Sequence, residues 1–263
     1  MSEFAALIHN ENIKIYSRVR TWIMLILLAV MSALIPVLYY FTSKSESSMM
    51  GLWDSFQVTV SVAFFLNTIF TVVVASDSVA GEFSSGTIKL LLIRPWSRSK
   101  ILLSKYISMV LFGLLSTGVL IAFGFGAAYI FSSSSSGEGI SALTAWSPAE
   151  YSFLDLLCRY TELFLTAALA FMVSSVFRAS GLAIGLSLFI MFAKNIIVAI
   201  FNPERYEWAR YLIFTHMDLR GYLLSDNGPG GATLWFSLAV LAVYYVLFLF
   251  IAWVVFRKRD VAA

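Results

Sequence analysis

Two ionisable residues, Glu162 and Lys194, stand inside long apolar stretches of this chain. Charged groups at the depth of a lipid bilayer are costly, so they tend to pair with each other or to carry a function. A two-residue turn, Arg178–Ala179, separates the two stretches, with Glu162 sixteen residues before Arg178 and Lys194 fifteen residues after Ala179. At about 1.5 Å per residue the two side chains reach a similar depth. The spacing therefore predicts an ion pair across a helical hairpin.

This pair has two interpretations. Glu162 and Lys194 either fix the register of the hairpin or form a polar patch along a substrate path or a dimer interface. Arg159 lies one helical turn before Glu162, so it is an alternative partner for that carboxylate. Gly181 and Gly185, spaced four apart, permit close helix approach, either to the preceding span or to a second copy of the chain.

Other kinds of chemistry are excluded or disfavoured. The one cysteine, Cys158, permits no intramolecular disulfide and no thiol framework for a metal. His9 and His216 lie far apart and outside any H-E-x-x-H pattern. The predicted spans place a single carboxylate, Glu162, and no histidine at bilayer depth, which disfavours an intramembrane enzyme. The sequence has no G-x-x-x-x-G-K-[ST] loop, so we expect no ATP binding and no cofactor in this chain itself.

The composition is that of an all-α membrane protein. Hydrophobic residues make up 60% of the 263 and charged residues only 13%, against about 25% charged in soluble domains. The mean hydropathy is +0.84, and the net charge of +3 gives no indication of nucleic-acid binding. One domain over residues 1–263 is expected, with six spans at about 22–41, 57–76, 104–131, 153–177, 180–201 and 233–256.

The basic residues predict the orientation of these spans. Twelve of the 18 lysines and arginines fall on one side if the N-terminus is cytoplasmic, as the positive-inside rule requires. An even number of spans then leaves both termini in the cytoplasm. The first span is expected to be an uncleaved span rather than part of a signal peptide, since it is longer than the apolar region of a signal peptide. Residues 1–21 are expected to form an interfacial helix, about Phe4–Arg20, on the cytoplasmic surface. On the other side, Ser132–Gly139 is expected to be a flexible linker, and Tyr206–Leu224 one or two amphipathic helices.

The loop Asp77–Lys105 is too short for a domain and too regularly patterned for a plain linker. Ile88, Leu91 and Leu92 share one face of a short helix that Pro95 should end. Ser97 is placed to cap the helix that continues into the third span. The alternative is a linker whose polar groups contact lipid headgroups.

The same loop resembles that of ABC-2 type transporter permeases, in Gly81-Glu82, Gly86 to Leu92, Arg94 to Arg98 and Leu102 to Lys105. The stretch from Ile8 to Trp22 resembles the N-terminal entry of those proteins, and six spans in a chain of this length agree with the family.

The resemblance implies a permease subunit of a bacterial ABC exporter, multi-pass in the cell membrane and itself not an enzyme. It implies a dimer with a second permease copy or a related permease, and two copies of a cytoplasmic ATPase, which would bind ATP and Mg. The docking element, or coupling helix, would be about Glu82–Arg94, with these residues in contact with the ATPase: Glu82, Gly86, Thr87, Ile88, Lys89, Leu91, Leu92 and Arg94. The alternative function is an ion- or proton-coupled secondary carrier that uses Glu162 and Lys194.

Overall fold

A computed structural model describes residues 3–42, 51–87, 96–132, 146–225 and 227–258. These residues form helices and turns, and no extended strand occurs within them. The main helices are α1 Glu3–Tyr16, α2 Val19–Thr42, α3 Leu52–Ser84, α4 Arg98–Phe131, α5 Pro148–Val176, α6 Ser180–Ile200, the single turn α7 Ile213–His216, and α8 Leu234–Lys258.

Six of these helices, α2 to α6 and α8, are long and apolar enough to cross a membrane. This confirms the predicted fold class. The tight turn between α5 and α6 is also confirmed, because only Phe177, Arg178 and Ala179 separate the two helices. The predicted cap of α4 is present, since the Ser97 hydroxyl accepts a hydrogen bond from the Lys100 amide at 3.4 Å.

Helix α3 lies at the centre of the bundle and packs against α2, α4, α5 and α6. In its most apolar stretch 61% of the residues are buried, against 17% in α6 and in α8. Large apolar side chains such as Phe189 and Val243 are 69% and 67% exposed. Such an apolar exterior fits contact with lipid, where helices associate through close packing and internal polar contacts.

One end of the bundle gathers α1, the end of α3, the start of α4, the α5–α6 turn and the end of α8. We call it the basic end because it carries Lys14, Arg18, Arg20, Lys105, Arg178 and Arg257. The Arg98 guanidinium donates a hydrogen bond to the Arg257 carbonyl at 3.0 Å, and the Trp253 indole donates to the Ser99 hydroxyl at 2.9 Å. The start of α4 is thereby joined to the end of the last span.

Several boundaries differ from the sequence predictions. Helix α3 continues to Ser84, so residues 77–84 are helical rather than part of the loop. The 206–224 stretch forms three short turns, Glu207–Tyr211, α7 and Arg220–Leu223, in place of one or two amphipathic helices. Helix α1 ends at Tyr16, four residues before the predicted end. It packs against α4, with Leu7 and Glu11 buried. The serine-rich linker lies outside the described residues except for Ser132.

The glycines of α4 and α6 differ in what surrounds them. A Cβ on Gly124 would lie 3.0 Å from Thr59 Cγ2 and 3.7 Å from Ser32 Cβ, so α2, α3 and α4 meet closely there. A Cβ on Gly118, Gly181 or Gly185 would meet no described atom within 4 Å apart from its chain neighbours and the nearby backbone of its own helix. Of the two alternatives for Gly181 and Gly185, close packing against the preceding span is not seen among the described residues, and contact with a second copy stays a prediction.

Gly124→Leu is expected to destabilise the bundle by about 1–3 kcal/mol, because the side chain must enter an occupied helix crossing. Gly118→Leu on the same helix is the matched control and shares any gain in helix propensity. Thermal unfolding in detergent should show a lower midpoint for Gly124→Leu only. Equal midpoints for the two variants would contradict the assignment of this crossing.

Candidate functional site

Two groups of charged side chains lie in the bundle, one at the basic end and one near the middle of α5. At the basic end, the ion cluster consists of Glu11, Lys14, Glu82 and Lys105. The Lys105 ammonium lies 2.8 Å from Glu11 Oε2 and 3.0 Å from Glu82 Oε1. Lys14 lies 2.8 Å from Glu11 Oε1 and 2.7 Å from Glu82 Oε1. The four charges form a closed ring that links α1, α3 and α4.

Most of this ring is buried inside the bundle. The Lys105 side chain is 2% exposed, whereas the Lys14 side chain is 34% exposed. Burial by itself lowers the pKa of Lys14, but the hydrogen bonds to Glu11 and Glu82 outweigh burial and hold the pKa above its usual value. A cavity of about 40 Å³ remains beside the ring, which is room for about one water. The cluster is thus packed and paired rather than open to a ligand.

A second contact point of the basic end is Asp77, one helical turn before Gly81 on α3. Its carboxylate accepts hydrogen bonds from the Arg18 and Arg20 guanidinium groups and from the Ser180 hydroxyl. Asp77 therefore ties the start of α2 and the start of α6 to α3. A Cβ on Gly81 would lie 2.8 Å from Asp77 Oδ1, so the absence of a side chain at Gly81 leaves room for this carboxylate.

The end of α3 is joined to the α5–α6 turn as well. The Ser84 hydroxyl donates to the Arg178 carbonyl at 3.1 Å and accepts from the Ser180 amide at 2.9 Å. Gly86 follows with φ of +70°, a left-handed conformation that glycine adopts readily after a helix. The Thr87 hydroxyl donates to the Glu82 carboxylate. These contacts fix the point at which the chain leaves α3 for the 88–95 segment.

Only part of the predicted docking set falls on described residues. Ile88, Lys89, Leu91, Leu92 and Arg94 lie outside them. Gly86 and Thr87 are exposed, but Glu82 is 9% exposed and its carboxylate faces Lys14 and Lys105. Glu82 lies in the last turns of α3, inside the ion cluster, and its carboxylate is turned towards Lys14 and Lys105 rather than towards the surface.

Near the middle of α5, the structure brings together the predicted pair. The Lys194 ammonium contacts the Glu162 carboxylate, and Glu162 lies fourteen residues from either end of its helix. The alternative partner Arg159 is engaged elsewhere. Its Nε donates to Asp155 at 2.7 Å and its Nη2 donates to the Ser61 hydroxyl at 2.9 Å.

A cavity of about 240 Å³ lies beside this pair, between α3, α5, α6 and the turn Arg220–Leu223. We call it the mid-helix cavity. Its lining is Ser61, Phe64, Phe65, Thr68, Arg159, Glu162, Met191, Phe192, Lys194, Asn195 and Arg220. Arg220 is held by Asp218, whose carboxylate accepts from Arg220 Nε at 2.8 Å and Nη2 at 2.7 Å. Burial raises the pKa of Asp218, but the hydrogen bonds from Arg220 outweigh it and hold the pKa below its usual value.

The sequence analysis did not identify several of the charged residues that form these ion pairs. Asp155 is a second carboxylate within the predicted fourth span, and its partner Arg159 lies four residues later, a helical pairing distance that was available as a signal. Glu11 and Lys14, three residues apart, gave the same kind of signal. The long-range partners Lys105 and Asp77 gave no such signal, because only the tertiary structure brings them to α1 and α2.

His216 has a structural role, since its ring contacts the Ser237 hydroxyl and the Arg210 carbonyl at 2.7 and 2.6 Å. No cluster suited to a metal occurs among the described residues.

Comparisons with known proteins also indicate a membrane protein. The family described as proteins of unknown function DUF2705 matches residues 20–262, so the chain belongs to that family. The chain is 39% identical to the uncharacterized protein YhcI of Bacillus subtilis, over 78% of this chain and 68% of that protein. It is 28% identical to the uncharacterized membrane protein YdbK of the same organism, over 94% and 99%. It is 29% identical to the probable ABC transporter permease protein NosY of Stutzerimonas stutzeri, over 76% and 78%. With its six apolar helices, the chain is a multi-pass membrane protein.

Proposed function

We propose that this DUF2705 protein is the permease subunit of an ATP-driven exporter of the ABC-2 type, in a bacterial cell membrane. Similarity to a probable ABC transporter permease over three quarters of the chain supports a permease. The resemblance of the 81–105 region and the N-terminal stretch to ABC-2 permeases supports the finer assignment. A partner ATPase would supply the energy and bind ATP and Mg. Two ATPase copies and a second permease copy complete the proposed assembly.

The single observation that carries this proposal is how the two ends of the 88–95 segment are held. The segment leaves α3 beside Glu82 and enters α4 near Ser97. Glu82 is joined through the ion cluster to α1 and to Lys105 of α4. A displacement of the segment by the ATPase would therefore be transmitted to α1, α3 and α4 together. A docking element must transmit movement in this way if it is to move the spans.

The proposed docking face is the apolar side of the 88–95 segment, with Ile88, Leu91 and Leu92 as anchors in a groove of the ATPase. Lys89 and Arg94 would contact its rim. Glu82 has a different role in this proposal: it positions the segment and does not touch the partner. The excess of lysine and arginine at the basic end supports a cytoplasmic location for this end, and with it cytoplasmic termini.

Leu91→Asp is expected to weaken binding of the ATPase by about tenfold or more, because it puts a charge into an apolar contact. The test is to express the tagged chain with the ATPase of a neighbouring gene and to measure the ATPase retained on purification. Leu91→Ile should retain it. Tyr206→Asp, which adds the same charge in the segment between α6 and α8, should retain it as well.

Equal retention for wild type and Leu91→Asp would refute docking through this segment. The secondary carrier is tested in the same preparation, reconstituted without the ATPase. Proton-driven transport by the chain alone would replace the proposed function with the carrier.

A further inference from the structure

The mid-helix cavity brings charged and aromatic side chains together beside the middle of α5. Its charged lining residues are Arg159, Glu162, Lys194 and Arg220, and its aromatic ones are Phe64, Phe65 and Phe192. A purely structural ion pair needs no adjoining space, because voids in a packed interior forfeit contacts. A cavity lined in this way is suited to a ligand that has both polar and apolar parts.

The charges around the cavity cancel in pairs. Arg159 is paired with Asp155 and Lys194 with Glu162, and Arg220 is paired with Asp218. A ligand with a net charge would leave one charge uncompensated beside these pairs, and an unpaired charge is costly where water is partly excluded. A ligand that carries one positive and one negative group preserves the balance, since each group can join an existing pair.

Asn195 supplies a polar group that is still free to bind. It follows Lys194 on α6 and lines the cavity, and its side chain is exposed. Among the described residues its amide has no hydrogen-bond partner, although it lies at the depth of the ion pair. An amide both donates and accepts hydrogen bonds, so Asn195 can serve an ammonium and an anionic oxygen alike.

The size and opening of the cavity limit the ligand further. A volume of about 240 Å³ holds about eight waters, which is room for a small headgroup and not for a whole lipid. Phe65 and Phe192 are 53% and 54% exposed, and their ring centroids lie 6.0 Å apart. These two rings border the cavity on the apolar exterior of the bundle, where a hydrocarbon chain would lie.

We propose that the mid-helix cavity binds the zwitterionic headgroup of a membrane amphiphile, with its apolar tail along Phe65 and Phe192. The headgroup carries an ammonium together with a phosphate or a carboxylate. As the substrate class of the transporter, this inference rests on the proposed function; as a binding site, it stands on the cavity alone.

The test measures binding of single-chain amphiphiles to the purified chain in a maltoside detergent, by native mass spectrometry. Lysophosphatidylethanolamine and Nε-lauroyl-lysine carry both charges, lysophosphatidylglycerol carries only the negative one, and dodecylamine only the positive one. At least one zwitterion is expected to bind about tenfold more tightly than both singly charged probes. Preference for the first zwitterion indicates a phospholipid source, and preference for the second an acylated amino acid or peptide. Equal binding of all four probes would overturn the proposal.

Variants locate the site. Asn195→Leu is expected to weaken binding of the preferred zwitterion about tenfold, and its exposed position makes misfolding a minor concern. Ile196→Leu, on the next and likewise exposed residue outside the lining, is the matched control and should bind as wild type does. Asn195→Asp adds a negative charge, so it should shift the preference towards dodecylamine.

Two results would contradict this location. If Asn195→Leu binds the zwitterion as tightly as the wild type does, the mid-helix cavity is not the binding site. Loss of a dimer in Asn195→Leu, with no amphiphile bound by the wild type, would show that a second copy covers Asn195. Because the assay contains no ATPase, failed docking leaves this result intact, and failed amphiphile binding leaves the docking result intact.

Discussion

Lys105→Met is expected to lower the free energy of unfolding by about 3–5 kcal/mol, the usual effect of removing one partner from a buried ion pair. Lys105 is 2% exposed and contacts both Glu11 and Glu82. Without it, two carboxylates remain buried with only Lys14 between them. Unfolding of the purified protein in detergent, followed by circular dichroism against denaturant, measures the change.

Two controls make the result specific to the buried ring. Lys14→Met removes a cation from the same ring, but the Lys14 side chain is 34% exposed. Water can replace its contacts, so we expect a loss of about 1 kcal/mol or less. Adding Glu82→Gln to Lys105→Met removes one of the stranded charges and should restore part of the stability. Equal losses for Lys105→Met and Lys14→Met would contradict the role given to burial.

The ion cluster also bears on coupling. If the ring transmits movement from the 88–95 segment, a variant that keeps the fold but weakens the ring should bind the ATPase normally and transport poorly. Lys14→Met is the suitable variant because it spares the buried contacts of Lys105. This separates the positioning role of the ring from docking itself, which depends on the apolar face of the segment.

The sequence was sufficient for features that depend on local pattern. Apolar runs of about 20 residues predicted the six spans, and the two-residue break at Arg178–Ala179 predicted the hairpin. Counting residues from that break was enough to place Glu162 opposite Lys194, because a helix converts sequence distance into depth. Ser97 was identified as a cap because a serine before a helical run satisfies its first amides.

The sequence was insufficient where distant polar residues compensate one another. Asp77 and Glu82 looked like loop residues because charges seldom continue a membrane span. Arg18, Arg20, Lys14 and Lys105 neutralise them in the fold, so the helix runs on to Ser84. Asp155 was overlooked for a related reason: its pairing with Arg159 lets both charges lie on a helix that still reads as a span.

Glu162→Lys is expected to cost roughly 3 kcal/mol, since it leaves Lys194 without its counter-ion and adds a cation near Arg159 and Arg220 at bilayer depth. A low yield of monodisperse protein and a lower unfolding midpoint should result. Thr161→Lys is the control, because it adds a lysine at the neighbouring position of the same helix and leaves the Glu162–Lys194 pair intact. If Glu162→Lys and Thr161→Lys lower the free energy of unfolding equally, the pair makes no specific contribution to stability.

Exchanging the two charges, as Glu162→Lys with Lys194→Glu, separates the two interpretations of the pair. The exchange keeps the net charge of the cavity at zero and lets the same two helices attract each other, so stability should return to within about 1 kcal/mol of wild type. A pair that only fixes the hairpin register would then also regain zwitterion binding. In the proposed site the headgroup meets Glu162 and Lys194 in a fixed order beside Asn195, so the exchange should restore folding and leave binding weak. If stability and zwitterion binding both recover, the pair only fixes the register of the hairpin.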